Sequence, residues 1–148
     1  MKINLETLNK HECFDGTVGF YSHQSASNNC DMRFSVFVPS QGKEKRLPVL
    51  YWLSGLTCTE ETFMIKAGAQ RLASELGIII VAPDTSPRGT NVPDDPNEAW
   101  DFGIAAGFYL NAIESPWNTN YNMYDYITIE LPEVIGNSFP ANKERQGI

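Results

Sequence analysis

The sequence predicts an α/β protein built on parallel strands, and three observations carry that reading. Leu47-Pro-Val-Leu-Tyr-Trp-Leu53 and Ile78-Ile-Ile-Val-Ala82 are apolar runs of strand length, the pattern of strands covered on both faces. Between them Ile65, Ala69, Leu72, Ala73 and Leu76 recur at helical intervals. Strand, helix, strand is a βαβ unit, which requires parallel pairing.

Taken in order, the first thirty residues are polar, with Gly16, Gly19 and several Ser and Asn, and read as a short edge hairpin. Asp31 to Val38 alternates, placing Met32, Phe34, Val36 and Val38 on one buried face. Pro39 to Lys45 is a charged turn before the first apolar strand. After Leu53, Ser54-Gly-Leu-Thr-Cys-Thr59 is a small-residue turn, and Thr57-Cys-Thr-Glu60 has the spacing of a capping box. Gly68 sits where it breaks the following helix, and Gly77 where it ends it. The second apolar strand stops at Pro83.

Pro83 to Asn118 is rich in Pro, Gly, Asp and aromatics, a length that in compact domains usually lines a site. A short helix is expected near Ile104 to Leu110. From Asn120 the stripe Met123, Ile127, Leu131, Val134 and Ile135 reads as a helix that Pro132 should kink. Glu144 to Ile148 looks like an entering strand, so the sheet reads as unfinished.

Composition narrows the function. The 148 residues carry 11 Lys+Arg against 18 Asp+Glu, a formal charge of −7, with 42% apolar and 20% charged residues. That is globular composition, and the acidic balance argues against nucleic acid or an anionic membrane as partner. No apolar run approaches the ~20 residues of a membrane span, and the N-terminus has no apolar leader core. Cys13, Cys30 and Cys58 form no CxxC and no even set, which fits reduced thiols and a cytoplasmic location. Zinc, EF-hand and P-loop motifs are missing from the sequence. Gly103-Ile-Ala-Ala-Gly107 only weakly echoes a dinucleotide loop.

A small-residue turn at the carboxyl end of a buried parallel strand is where open α/β sheets place ligands. Its N–H groups can hold an oxyanion, although an ordinary βα turn has the same spacing.

Several blocks carry a resemblance. Leu50-Tyr-Trp-Leu-Ser-Gly-Leu-Thr-Cys58, Val81-Ala-Pro-Asp-Thr-Ser-Pro-Arg-Gly89, Gly107-Phe-Tyr-Leu-Asn-Ala112, Pro116-Trp-Asn118, Met123-Tyr-Asp-Tyr-Ile127 and Glu130-Leu-Pro132 occur in order and at compatible spacing. Together they resemble the S-formylglutathione hydrolases, or esterase D family, which are serine thioesterases of the α/β-hydrolase fold. The resemblance implies that residues 1–148 form the N-terminal part of one such domain, with a mostly parallel sheet, flanking helices and the remainder lying beyond. It makes the backbone N–H of Leu56 one oxyanion donor, with Ser54, Gly55, Thr57, Cys58 and Trp117 lining the site.

The same resemblance sets limits. In this fold the triad runs Ser, acid, His along the chain, with the serine on a GxSxG elbow. No GxSxG occurs here, and His11 and His23 precede the oxyanion turn, so they are expected at the surface or in turns. Arg145 to Ile148 matches the strand leading into the elbow, which puts nucleophile, acid and histidine beyond this chain. Ser54 lies on the wrong strand to be that nucleophile. Cys58 matches a cysteine near the active site, or is simply a small buried residue.

Trp100, Phe102, Phe108 and Tyr109 can line an acyl or glutathione pocket or merely pack. Lys66 reads as solvated, and Arg88 as a partner for glutathione carboxylates or another solvated charge. Asp94, Asp95, Glu98 and Asp101 read as a solvated acidic face more readily than as a cation site. Asp84 and Asp125 read as scaffold caps or ion pairs. The implied partner is a small-molecule glutathione thioester with no cofactor, and a homodimer is among the allowed assemblies. Competing functions are a broad carboxylesterase or acyltransferase of the same fold, and a non-catalytic binding module.

Overall fold

The computed structural model describes residues 4–148; Met1–Ile3, where the reading of the leader begins, lie outside them. Six strands form one mixed sheet in the order β1-β2-β3-β5-β4-β6. They are β1 Leu5–Cys13, β2 Gly16–Gln24, β3 Asp31–Pro39, β4 Leu47–Tyr51, β5 Ile79–Pro83 and β6 Ala141–Gly147. The expected parallel pairing holds for β4 with β5 and for β4 with β6. The first three strands run as an antiparallel meander, and β3 joins β5 antiparallel. The edge hairpin is thus present but nine residues long on each arm.

Two layers of side chains hold the sheet. On one face Met32, Phe34, Val36, Leu47, Val49, Ile79 and Val81 pack against Met123, Tyr126, Ile127, Leu131, Val134 and Ile135. The stripe read after Asn120 is therefore the core face of its helix. That helix is α3 Met123–Asp125, a π-turn Tyr126–Glu130 and α4 Leu131–Ser138. Pro132 has no N–H to close the preceding turn, and the widened π-turn lies directly before α4, where that loss falls. The Thr128 hydroxyl donates to the Tyr124 carbonyl, 2.8 Å away, within the widened stretch.

On the other face Val18, Phe37 and Ile80 meet Met64 and Ala73 of α1 Glu60–Lys66 and α2 Gln70–Leu76. This corrects the one-sided reading of Asp31 to Val38, because Ser35 and Phe37 are as buried as Phe34. It also corrects the helical stripe. Gly68, at φ +64°, splits the segment, and Ile65, Leu72 and Leu76 end up exposed while Met64 and Ala73 face the sheet. Gly77, at φ +66°, does cap α2 in the left-handed conformation.

β4 is covered on one face only. Leu47, Val49 and Tyr51 are buried, whereas Leu50 and Trp52 are exposed, because α1 and α2 pack mainly on β3 and β5. Trp52 rests on Phe63, with ring centroids 4.3 Å apart. The helix start also differs: Thr59, not Thr57, is the N-cap, with Thr62 as its reciprocal partner. Glu60 is buried instead of serving as that partner.

Between β5 and α3 the chain has almost no regular structure. The short helix expected at Ile104 to Leu110 is a set of turns, since Ala105, Phe108 and Tyr109 all take left-handed φ values. Successive left-handed residues cannot propagate a right-handed helix.

Candidate oxyanion turn

The loop after β4 lies at the carboxyl end of a parallel strand. Its backbone is tied down at four residues. The Tyr109 hydroxyl donates to the Ser54 carbonyl at 2.8 Å. The Cys58 N–H donates to the Gly55 carbonyl at 3.1 Å, closing a four-residue turn. The Thr57 N–H donates to the Ala105 carbonyl at 3.1 Å. The Cys58 carbonyl accepts from the Thr85 hydroxyl at 2.6 Å and from Arg88 Nη2 at 3.2 Å.

Donors are distributed oppositely. Among the described residues the N–H groups of Gly55 and Leu56 donate to no protein acceptor. In a planar trans peptide the C=O and N–H point in opposite directions. With the Gly55 carbonyl drawn into the turn by Cys58, the Leu56 N–H is directed out of it. An N–H directed out of a turn is the kind of donor a developing oxyanion requires. Gly55 adds space: a Cβ built there meets nothing within 4 Å.

Thr57 carries the strain of this arrangement. Its φ of +68° is an outlier for a β-branched residue, and such strain collects at functional sites. The structure therefore brings Ser54, Gly55, Leu56, Thr57 and Cys58 into one constrained loop. Ser54 is buried, with its hydroxyl lacking any hydrogen-bond partner among the described residues. Cys58 is half-buried, and its carbonyl bears the contacts above.

Arg88 is one-third exposed and paired within the chain. Its Nε lies 2.8 Å from Asp84 Oδ2, and Asp84 Oδ1 accepts the Thr85 N–H at 2.6 Å. Burial raises the Asp84 pKa, and the Arg88 hydrogen bond opposes that rise without cancelling it. Asp84 is thus the scaffold residue it was expected to be. Burial likewise pushes the Tyr109 hydroxyl well above the ordinary range, which keeps it a neutral donor.

Trp117 is placed elsewhere. It lines an apolar groove of about 300 Å³ with Phe102, Phe108, Leu110, Ile113 and Tyr121, among which no residue of the Ser54–Cys58 turn appears. Its ring meets Phe102 at 4.7 Å and Tyr121 at 5.4 Å. The turn at Gly103–Ala106 joins the two regions, because Ala106 lines the groove and Ala105 binds Thr57. Gly103 is required there: its φ is +85°, and a side chain would strike the Asp94 carboxylate. Trp100 is exposed, as is Lys66 at the end of α1.

The acidic residues of the long loop serve its backbone. Asp94 Oδ1 accepts the N–H groups of Asp95 and Ile104, and Asp95 Oδ2 that of Ala99. Among the described residues no group of three or more His, Cys, Asp and Glu is arranged to hold a metal ion. Asp125 lies in the first turn of α3.

His11 is exposed on β1, as expected, but His23 is buried, which corrects its reading as a surface residue. Its Nε2 lies 3.2 Å from the Tyr126 hydroxyl and its Nδ1 3.8 Å from Glu130. Burial lowers the His23 pKa, with Glu130 opposing. Glu130 in turn accepts from the Ser25 hydroxyl and the N–H groups of Ala26 and Ser27, each at 2.9 Å.

Tyr109, Thr85 and Ala105 were not singled out for the turn from sequence. Tyr109 and Thr85 fall inside blocks carried by the resemblance, and a half-buried tyrosine needs a partner for its hydroxyl. Ala105 acts only through its carbonyl, which no side-chain pattern reveals.

Comparison with known proteins shows the family of the chain. Residues 25–148 match the Esterase family model, described as "Putative esterase". The S-formylglutathione hydrolase of Rattus norvegicus is 47% identical over 146 residues, covering 99% of this chain and 51% of the relative. That of Mus musculus is 48% identical over 144 residues, covering 97% and 51%. The chain spans about half the length of the curated relatives it matches. Among solved structures, an S-formylglutathione hydrolase from Agrobacterium tumefaciens superposes with a TM-score of 0.92 at 46% identity, over 95% of this chain and 52% of that one. FphF, a serine hydrolase of Staphylococcus aureus, superposes at 0.65 with 19% identity, over 89% and 47% of the two chains, a likeness of fold alone.

Proposed function

The chain belongs to the Esterase family, and we propose that it forms the oxyanion-holding half of a serine thioesterase that hydrolyses S-formylglutathione to formate and glutathione. The observation that carries this reading is the Leu56 N–H, without a protein acceptor in a turn whose Ser54, Gly55 and Cys58 carbonyls and Thr57 N–H are tied to the protein. Its relatives' names supply the substrate.

In this reading residues 1–148 are the N-terminal part of one α/β-hydrolase domain. The serine, its histidine and the orienting carboxylate lie in polypeptide beyond Ile148. The serine oxygen attacks the formyl carbon while histidine takes its proton. The carbonyl oxygen becomes an anion, held by Leu56 and by the N–H that follows the serine. Collapse expels glutathione, protonated by the histidine, and water then releases formate by the reverse proton path. The reaction needs no metal or organic cofactor. Losing one oxyanion donor costs on the order of 3 kcal/mol in the transition state, whereas losing the serine removes the chemistry.

Location and assembly belong to the same proposal. Free Cys13, Cys30 and Cys58 support the cytoplasm, and no helix among the described residues is long and apolar enough to cross a membrane. The proposed assembly is a homodimer, read by sedimentation of the full-length protein.

Turnover decides the function. Full-length protein is expected to hydrolyse S-formylglutathione with a higher kcat/KM than 4-nitrophenyl acetate, and a polypeptide of residues 1–148 is expected to turn over neither. Preference for the simple ester would favour a broad carboxylesterase. Turnover by residues 1–148 would overturn the assignment of the nucleophile.

A further inference from the structure

We infer that Tyr109 is a positioning residue for the oxyanion donor: its hydroxyl locks the Ser54–Gly55 peptide plane and so keeps the Leu56 N–H aimed out of the turn. The inference rests on the proposed function and adds to it a residue that touches no reacting atom.

A peptide plane turns by rotation about the ψ before it and the φ after it, and rotation about φ that ψ does not cancel carries the next plane with it. For Ser54–Gly55 the second of these belongs to a glycine, which accepts mirror-image φ values as readily as ordinary ones. No side chain at Gly55 restrains that rotation, and even a Cβ built there would meet nothing within 4 Å. The Ser54 hydroxyl gives no help, because it is buried without a partner. What remains to hold the plane is the 2.8 Å bond from Tyr109 to the Ser54 carbonyl. If that carbonyl turns away, Gly55 changes φ, the Gly55 carbonyl leaves Cys58, and the Leu56 N–H swings with it.

Tyr109 is itself firmly placed. Phe108 and Tyr109 take consecutive left-handed conformations, φ +50° and +54°, which neither residue adopts without support. The chain on either side is tied by the Leu110 N–H to the Gly107 carbonyl and by the Met123 N–H to the Leu110 carbonyl. The Tyr109 ring packs against the core cluster between the sheet and the α3–α4 helix. Strain of this kind persists where surroundings over-determine a position, and here it delivers one hydroxyl to one carbonyl.

The test is Tyr109→Phe in the full-length protein, which keeps the ring and removes only the hydroxyl. With active sites counted by a fluorophosphonate, kcat for S-formylglutathione is expected to fall roughly 10-fold, less than the 10²- to 10³-fold of losing a donor outright. KM should stay within about twofold, and a boronic acid that mimics the tetrahedral intermediate should lose affinity in step with kcat. An unchanged kcat per active site would overturn the inference, whether or not stability falls. Amide NMR of the same variant reads the peptide plane without reference to turnover. The inference expects exchange broadening at Gly55 and Leu56 that the parent protein lacks, and unperturbed Gly55 and Leu56 signals would overturn it. If the parent protein does not hydrolyse the thioester, the functional reading fails while the NMR comparison still judges Tyr109.

Discussion

Asp84 holds Arg88 by a 2.8 Å bond to Nε, and that bond directs Nη2 of the same guanidinium onto the Cys58 carbonyl 3.2 Å away. A buried carboxylate on the β5 loop thereby steadies the loop after β4. The neighbouring parallel strands β4 and β5 are coupled at the end where the candidate site lies.

Removing the cation tests that coupling. Arg88→Met leaves the buried Asp84 with only backbone N–H partners. Breaking a buried pair costs about 3–5 kcal/mol, and because Arg88 is one-third exposed the expected loss is about 2 kcal/mol. Arg88→Lys should recover less than half, since an ammonium lacks the fork that reaches two partners. Urea denaturation measures both.

Acid should destabilise the protein in a way that His23 and Glu130 dictate. Burial sets the His23 pKa below its ordinary value near 6.5, so its contribution is present above that pH and is lost as pH falls toward its folded-state pKa. Burial tends to raise Glu130, but the hydrogen bonds from Ser27, Ala26 and Ser25 outweigh it and hold its pKa down. Its contribution is present above its ordinary value of 4.5 and is lost below. Asp84 and Glu60, both raised by burial, contribute with the opposite sign, their share being lost as pH rises through their folded-state values. From about pH 7 to pH 6 the His23 term should dominate. His23→Gln is expected to flatten the stability curve there, and an undiminished slope would contradict this.

The helix faces make a contrasting pair. Leu131 is fully buried, so Leu131→Ala should cost about 2–5 kcal/mol, whereas Leu72→Ala on the exposed side of α2 should stay within about 0.5 kcal/mol. Equal losses would restore the single helical stripe that the periodicity suggested.

That contrast shows where the sequence was legible. Met123, Ile127, Leu131, Val134 and Ile135 could be read because the helical residues on both sides of the π-turn lie on one sheet face, so periodicity and burial coincide. Ile65, Leu72 and Leu76 misled because Gly68 resets the helix phase, which a fixed period ignores. Leu50 looked buried for the same reason that Val49 did, as an apolar residue in an apolar run, but α1 and α2 settle on β3 and β5. The Ser54–Cys58 turn was visible as small residues after a buried strand. Its clamp was not, because Ala105 acts through the backbone and Tyr109 reaches Ser54 across 55 residues of chain. His23 was hidden similarly, since its partners Tyr126 and Glu130 lie on a distant helix.

The central claim concerns one hydrogen atom, and one substitution removes it alone. Replacing Leu56 by its α-hydroxy acid in the full-length protein turns that backbone amide into an ester, leaving every side chain in place. The account predicts that kcat/KM for S-formylglutathione falls at least about 10²-fold while the protein stays folded. A kcat/KM within about twofold of the parent would contradict it.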